Sequence, residues 1–343
     1  MHAIRLHAFG PAENLTYEET PDPTPAPGQV RIAVTAAGVH LLDTALREGE
    51  PGPFPVPPEL PTVPGREVAG TVDALGEGTD PSWLGKRVVA HLGMVPGGYA
   101  ELAVTDAARL HEIPPALDDA EAVAMIGTGR TTLGIVQFTD LGPDGVAVVT
   151  AAAGGIGTLL VQYAKNAGAT VIGLAGGPEK TARVRANGAD LAVDYNRPDW
   201  PDQVRAHLGD RKATVVFDGV GGTAGRAAVD LLGKGGQHVV YGWSGQGLRD
   251  GEPLTFTDAE RAELAERGIT SEPVLGPVML RKAGGDVRTL ELRALDEAAT
   301  GRLRPAVQRF PLADAAAAHR ALETRATMGK VVLVPGLVPG LVP

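Results

Sequence analysis

The chain has 343 residues, 43% of them hydrophobic, and carries 41 acidic against 31 basic side chains, a formal charge of −10. A surface of that sign repels phosphate polyanions, which argues against nucleic acid as a partner. There is no cysteine, so disulfides, thiolate metal sites, iron–sulfur clusters and a cysteine nucleophile are all removed, and any metal is left to histidine and carboxylates.

The opening MHAIRLHAFGPAENL has no basic segment followed by a continuous apolar one, so nothing marks the chain for export and a reducing cytoplasm is the expected location. Its length, at about 100–200 residues per domain, predicts two domains. The first third holds short runs rich in valine and glycine at 29–39, 65–78, 86–93 and 97–106, which predict strands of a partly open β-barrel. Between them the segment 48–65, EGEPGPFPVPPELPTVPG, has too many prolines for a central strand or a helix and is expected as a surface loop.

From about residue 120 apolar runs alternate with amphipathic helical patterns, the signature of a parallel sheet covered on both faces. Six strands are predicted at 146–151, 170–174, 191–194, 214–218, 237–241 and 269–275, enough for two mononucleotide-binding halves. Two helices follow at 287–301 and 312–326, then a strand at 330–335. The tail VPGLVPGLVP is a short repeat expected as a frayed extension.

Residues 145–164 carry no charge and match a membrane span in length. The glycines Gly154 and Gly155 divide them, and beyond the division Ile156, Leu159, Leu160, Tyr163, Ala164 and Ala167 share one helical face. The segment therefore reads as a strand, a turn and an amphipathic helix. The turn AAGGIG at 152–157 matches the dinucleotide fingerprint G-x-G-x-x-G with alanine at its first glycine. Small residues there let the backbone approach a pyrophosphate, and the helix N-terminus aims N–H groups at it. Gly154, Gly155, Ile156 and Gly157 are the expected cradle; the bland reading is an ordinary tight turn.

A site preferring NAD places an acidic residue at the end of the next strand. This chain has Ala175, Gly176 and Gly177 there, followed by Lys180. NADPH is the expected cofactor, with Lys180 as the cation for its 2′-phosphate. A solvated lysine in a first helical turn is the alternative for Lys180.

Several long segments then resemble one family: AAGVHLLDTALREG (36–49), PTVPGREVAGTVDALGEG (61–78), GGYAELAVT (97–105), AAAGGIGTLLVQYAKNAGATVIG (151–173), VVFDGVGG (215–222) and HRALETRATMGKVVLVP (319–335). They are similar to the zinc-independent, zeta-crystallin-like quinone oxidoreductases of the medium-chain dehydrogenase/reductase superfamily. The resemblance implies an α/β chain made of a GroES-like partly open β-barrel catalytic domain (1–119) and a six-stranded parallel Rossmann domain binding NADPH (120–280). It also implies a segment returning to the catalytic domain (281–335), beyond which the repeat-bearing tail (336–343) is expected to be disordered. Gly176, Lys180 and Tyr195 would surround the 2′-phosphate, and Thr131, Gly219, Val220, Gly242 and Ser244 would line the rest of the groove. Relatives often carry Ser or Thr in place of Gly177, so one phosphate contact is missing.

Metal-dependent relatives carry a zinc-binding histidine in a Gly-His-Glu motif, which here reads Gly65-Arg66-Glu67. A guanidinium has no lone pair for zinc, so no metal is expected. Hydride delivery to an electrophilic quinone is the expected chemistry, with an enone or alkenal reductase, or a low-turnover NADPH-binding sensor or scaffold, as alternatives.

The resemblance places 36–49 beside the acceptor. His40 stands where relatives have Asn and could donate to a developing oxyanion; its structural alternative is to hold the loop through a backbone carbonyl. Asp43 and Arg47 follow at helical spacing, either sharing that face or pairing with each other. Ala45 replaces a common tyrosine and is expected to enlarge the pocket. Arg130 has no assigned role. His91, His111, His207, His238 and His319 show no ligand spacing and read as structural. A homodimer is implied by the family, with 272–280, EPVLGPVML, as an apolar edge.

Overall fold

The computed structural model describes residues 1–50, 52, 56–93, 95–244 and 256–337. They form two compact units, one from Met1–Thr128, Ala294–Ala299 and the chain from Pro305 onward, the other from Gly129–Arg293 and Thr300–Arg304. The tail positions 338–343 lie outside the described residues.

The first unit opens with an antiparallel hairpin of β1 (His2–Leu6) and β2 (Leu15–Glu19). Its main sheet is built from β3 (Gln29–Val39), β4 (Glu67–Leu75), β5 (Arg87–His91), β6 (Leu102–Asp106) and β7 (Leu110–Glu112). Two late strands join it, so the order becomes 307–311, 330–334, β3, β4, β5, β7, with β6 also paired to β3. Alternation explains the packing: Val30, Ile32 and Val34 of β3 point inward beside Val68 and Val72 of β4 and Val88 of β5. This is the GroES-like partly open sheet. The sequence pattern predicts four of its strands and the strand at 330–334, but not β1, β2, β7 or 307–311.

The second unit contains β8 (Val146–Val149), β9 (Thr170–Ala175), β10 (Leu191–Asp194), β11 (Ala213–Asp218), β12 (Leu232–Val240) and β13 (Thr270–Pro273). They form a six-stranded sheet in the order β10-β9-β8-β11-β12-β13, parallel throughout. Strand order reverses between β8 and β11, the switch point at which doubly wound sheets bind ligands outside their carboxyl ends. Val148, Ile172, Leu174 and Val216 fill the core against the helix Trp200–Leu208, which contributes Trp200 and Val204. The chain then returns to the first unit through β14 (Val307–Pro311) and β15 (Lys330–Val334).

Two sequence expectations are corrected here. The segment 272–280 is not one apolar edge strand. β13 ends at Pro273, Val274 is buried, and Pro277–Lys282 is a helix. The edge itself carries Glu272 and Pro273, residues that discourage strand addition. The helix predicted at 312–326 is a 3₁₀ turn at Leu312–Asp314 followed by an α-helix at Ala315–Glu323. Among the described residues no helix is long and apolar enough to cross a membrane.

Candidate functional site

The second unit gathers its small residues at the carboxyl ends of β8, β9 and β11. Beyond β8 the helix Gly155–Asn166 starts with Gly154 as N-cap, and no side chain caps it. The N–H groups of Gly155, Ile156 and Gly157 lie in a first turn that has no intrahelical acceptor for them. Gly154, Gly155 and Ile156 are half-buried, so the turn is open to a ligand, while Gly157 is buried. A Cβ on Gly157 would stand 2.3 Å from the Ala151 carbonyl oxygen and 2.7 Å from Ala152 Cα. Glycine is therefore what lets the helix dock against the strand end. Ala151 has φ 46°, so the turn is wound through the left-handed region at a residue with a side chain.

The ends of β9 and β10 meet next to this turn, with Asp194 in register with Ala175 and the Tyr195 amide donating to the Ala175 carbonyl. Asn196 lies against Gly176, where a Cβ would be 2.9 Å from its Nδ2. Gly177 is the N-cap of the helix Pro178–Ala186 at φ 86°, and nothing would crowd a Cβ on it. Lys180 is half-buried in the first turn of that helix. Thus Gly176, Gly177, Lys180 and Tyr195 come together around one corner, and Asn196 belongs with them. Asn196 is not among the residues expected from the sequence, although its position directly after Tyr195 was a usable signal.

The turn after β11 is held by a buried carboxylate. Asp218 Oδ1 accepts from Thr150 Oγ1 (3.0 Å) and from the Val220 and Gly221 amides (2.9 and 3.0 Å), and Oδ2 meets His238 Nε2 at 3.3 Å. Burial pushes the Asp218 carboxyl up, and His238 with the two amides overcomes it, so the group sits below its usual value. The Thr150 hydroxyl also accepts from the Gly219 amide (2.9 Å), and Ser244 Oγ donates to the Gly219 carbonyl (2.9 Å). A Cβ on Gly242 would be 3.0 Å from that carbonyl. Gly219, Val220, Gly242 and Ser244 are therefore one rigid wall. Thr131 is half-buried in the first turn of the helix Arg130–Val136. Its neighbour Arg130 pairs with Glu291 (2.8 Å), which gives it a structural partner.

The first unit divides the three candidate catalytic residues into two groups. His40 precedes the helix Leu41–Arg47, and its backbone amide donates to Asp43 Oδ2 (2.8 Å). Its side chain accepts from the Asp43 amide, closing a capping box, and its ring also reaches Glu67 and Lys330. Nε2 lies 2.6 Å from Glu67 Oε1 and 2.9 Å from Lys330 Nζ, and Lys330 Nζ lies 2.8 Å from Glu67 Oε2. The Glu67 and Lys330 side chains are 0% and 5% exposed, whereas 33% of the His40 side chain reaches solvent. Burial raises the Glu67 carboxyl, and the charges of His40 and Lys330 overcome that and hold it well below the carboxylate range. Space for the carboxylate comes from two glycines: a Cβ on Gly38 would be 2.4 Å from Oε2, and one on Gly127 would be 1.5 Å from Oε1. The loop-holding bond from the His40 ring to a backbone carbonyl is not what the structure shows.

Asp43 and Arg47 are buried and belong to a second network. Tyr99 Oη donates to Asp43 Oδ2 (2.9 Å) and meets His319 Nε2 (3.2 Å), while Arg47 meets His319 Nδ1 (3.5 Å), Glu48 (2.5 Å) and Glu323 (2.6 Å). The Asp43–Arg47 pair expected from spacing is therefore replaced by separate partners. His319, expected from the sequence to be merely structural, is the centre of this network. Burial lowers its pKa to about 4, with Asp43 opposing the shift. A cleft of about 330 Å³ is lined by Asp43, Arg47 and Arg66 on its polar side and by Leu46, Val56 and Pro64 on its apolar side. Ala45 is buried and does not line it, so it does not enlarge this cleft.

Comparison with known proteins decides the relationship. Residues 26–115 match the alcohol dehydrogenase GroES-like domain and residues 155–270 the zinc-binding dehydrogenase domain. Over 97% of its length the chain is 32% identical to a 2-haloacrylate reductase of Burkholderia sp, covering 98% of it. Over the same share it is 30% identical to quinone oxidoreductase 1 of Escherichia coli, covering 99% of it. The chain belongs to the quinone oxidoreductases of the medium-chain dehydrogenase/reductase superfamily. It is an oxidoreductase. The solved structure of the E. coli quinone oxidoreductase complexed with NADPH superimposes with a TM-score of 0.81 at 28% identity, over 98% of this chain and 100% of that one. The family domain is named for zinc binding, but this oxidoreductase has Arg66 in the motif position and no cysteine. Among its described residues no three His, Cys, Asp or Glu side chains are grouped to hold a metal ion.

Proposed function

We propose that this oxidoreductase reduces a quinone with NADPH. The observation that carries the cofactor part is the corner at the end of β9: Ala175, Gly176 and Gly177 offer no carboxylate, and Lys180 follows within one helical turn. A carboxylate there would accept from a ribose hydroxyl and repel a 2′-phosphate; a lysine favours the phosphate. The cradle fits a dinucleotide because Gly154, Gly155 and Ile156 are accessible at the uncapped N-terminus of a twelve-residue helix. Gly154 to Gly157 would hold the pyrophosphate, Gly176, Lys180, Tyr195 and Asn196 the 2′-phosphate, and Thr131, Gly219, Val220, Gly242 and Ser244 the remainder.

NADPH, when bound, supplies the hydride. The chain's own residues orient the acceptor, exclude water and stabilise the oxygen that becomes negative. The apolar wall of Leu46, Val56 and Pro64 suits a flat, uncharged ring, which supports a quinone. A conjugated alkene is the second reading, favoured by the 2-haloacrylate reductase among the relatives. A cysteine-free chain suits a reducing cytoplasm. A homodimer through the outer strands of the second unit's sheet stays part of the reading, tested by sedimentation.

The test is acceptor-dependent NADPH oxidation across para-quinones, ortho-quinones and enones. Quinone turnover at least about tenfold above the enones supports the first reading, and the reverse order supports the second. Oxidation of NADPH that no acceptor accelerates contradicts both.

A further inference from the structure

Four charged side chains line the first unit's cleft of about 330 Å³: Asp43, Arg47, Arg66 and Glu59. Two of them are already engaged. Arg47 is buried and meets Glu48 and Glu323, and Asp43 Oδ2 accepts from the His40 amide (2.8 Å) and from Tyr99 Oη (2.9 Å). Glu59 is exposed and stays in solvent. Arg66 is half-buried, and its backbone is pinned: its carbonyl accepts from the Leu92 amide (2.7 Å), and the Gly65 carbonyl before it accepts from the Gly97 and Gly98 amides (3.1 and 3.0 Å). Gly65 has φ 85°, and a Cβ there would stand 2.2 Å from the Tyr99 ring, so only glycine lets the chain enter β4 by this route. Burial lowers the Arg66 pKa against the pull of Asp43, Tyr99 and Glu67. The guanidinium is therefore partly desolvated, where a charge-assisted hydrogen bond is stronger than in water. It is planar, keeps its charge at neutral pH and presents a fork of donors, so it can serve Asp43 and an anion in the cleft at once.

We propose that Arg66 is a binding residue for the acceptor and selects one that carries an anionic oxygen group, a carboxylate or an ionised hydroxyl, conjugated to its electrophilic carbon. This rests on the reading of the chain as an NADPH-dependent reductase and names the substrate class for the same cleft. Leu46, Val56 and Pro64 take the flat apolar part of the molecule, and Arg66 takes the oxygens at its edge. A neutral analogue covers the same wall and displaces water from the guanidinium without supplying a matching anion. A site that pairs a polar group with its substrate rejects the analogue lacking that group for this reason. The chain's overall charge of −10 repels an anion at a distance, so the preference has to come from contact inside the cleft. An α,β-unsaturated carboxylate and a hydroxyquinone ionised at neutral pH both present this chemistry.

Two measurements test this on the full chain. The first needs no turnover: isothermal calorimetry compares 2-naphthoate with 2-naphthamide, which share the ring and differ in charge. The wild-type protein is expected to bind naphthoate about tenfold more tightly. Arg66→Met, which keeps an apolar stem without the charge, is expected to erase the difference. Arg66→Gln is the second variant, with the same expectation, should methionine disturb the fold. Equal affinities in the wild type, or a preference that survives the loss of Arg66, overturn the assignment. The second measurement follows NADPH oxidation with two matched pairs, 2-hydroxy- against 2-methoxy-1,4-naphthoquinone and 2-chloroacrylate against its methyl ester. Intrinsic reactivity differs within each pair but cancels when the anion-to-neutral ratio of kcat/KM is compared between wild type and Arg66→Gln. That ratio is expected to be about tenfold higher in the wild type, with the change in KM, and the pair that responds identifies the hydroxyquinone or the unsaturated carboxylate as its source. A ratio unchanged by the substitution overturns the proposal and leaves the reductase reading intact. A wild type that prefers naphthoate but oxidises no NADPH with any of these acceptors fails the reductase reading instead, and with it the assignment of the anion as an acceptor.

Discussion

Among single residues, the first unit separates two kinds of buried charge. Arg47 is 1% exposed and met by Glu48 and Glu323, and it holds the helix Leu41–Arg47 in place. His319 beside it is neutral in the folded chain. Tyr99 Oη donates to Asp43 and so accepts from His319 Nε2–H, which leaves Nδ1 to accept from Arg47. With a folded pKa of about 4 against 6.5 for a solvated imidazole, the unfolded chain takes up a proton between those values and the folded chain does not. Stability from this group is therefore complete above about pH 6.5 and falls as the pH drops toward 4, by up to about 3 kcal/mol. Urea midpoints measured across that range should fall with acidification, and His319→Asn should flatten the slope. The Glu67 pocket gives a second expectation. Gly127→Ala places a Cβ 1.5 Å from Oε1, so it should lower unfolding free energy by about 1–3 kcal/mol in a urea titration. Lys330 could not be found by reading locally, because it meets His40 across 290 residues of chain and His319 meets Tyr99 across 220. Only the fold brings such residues together.

Elements with a strong period were legible and short ones were not. The run 146–149 and the helix Gly155–Asn166 follow the apolar pattern read from the sequence, with Leu159, Leu160 and Ala164 buried on the expected face. β2, by contrast, buries only Leu15 fully while Thr16, Tyr17, Glu18 and Glu19 remain partly or wholly exposed, so its composition carries no two-residue alternation. Its strand state comes from pairing with β1. β13 misled in the other direction, since the apolar residues of 272–280 belong to a turn and a helix rather than to the edge. The strand-to-helix turn makes its own prediction. Gly157→Ala drives a Cβ into the Ala151 carbonyl at 2.3 Å. It should therefore push the helix off β8, lower stability by about 1–3 kcal/mol and weaken NADPH binding in a fluorescence titration. Gly154→Ala meets only the same carbonyl at 3.2 Å and should be milder.

For the whole molecule, the alternation of strand and helix patterns sufficed to predict a parallel six-stranded sheet beside a GroES-like one, and the family relationship followed from long matching segments. The residues proposed to hold the cofactor are less legible, because they come from the ends of β8, β9 and β11, and the charged cluster around His40 comes from the ends of β3, β4 and β15. NADPH binding should be visible as stabilisation of the folded chain, about 2.7 kcal/mol at a hundredfold excess over Kd. A thermal melt should show a smaller shift with NADH at equal concentration and a reduced NADPH shift in Lys180→Ala. Quinone reduction by NADPH is tested most sharply by kcat/KM for NADPH and for NADH with 1,4-naphthoquinone in the wild-type protein. Quinone-dependent oxidation is expected, with NADPH preferred by about tenfold or more, a difference of about 1.4 kcal/mol in transition-state stabilisation. Oxidation of neither cofactor, with NADPH bound but the quinone unreduced, would refute it.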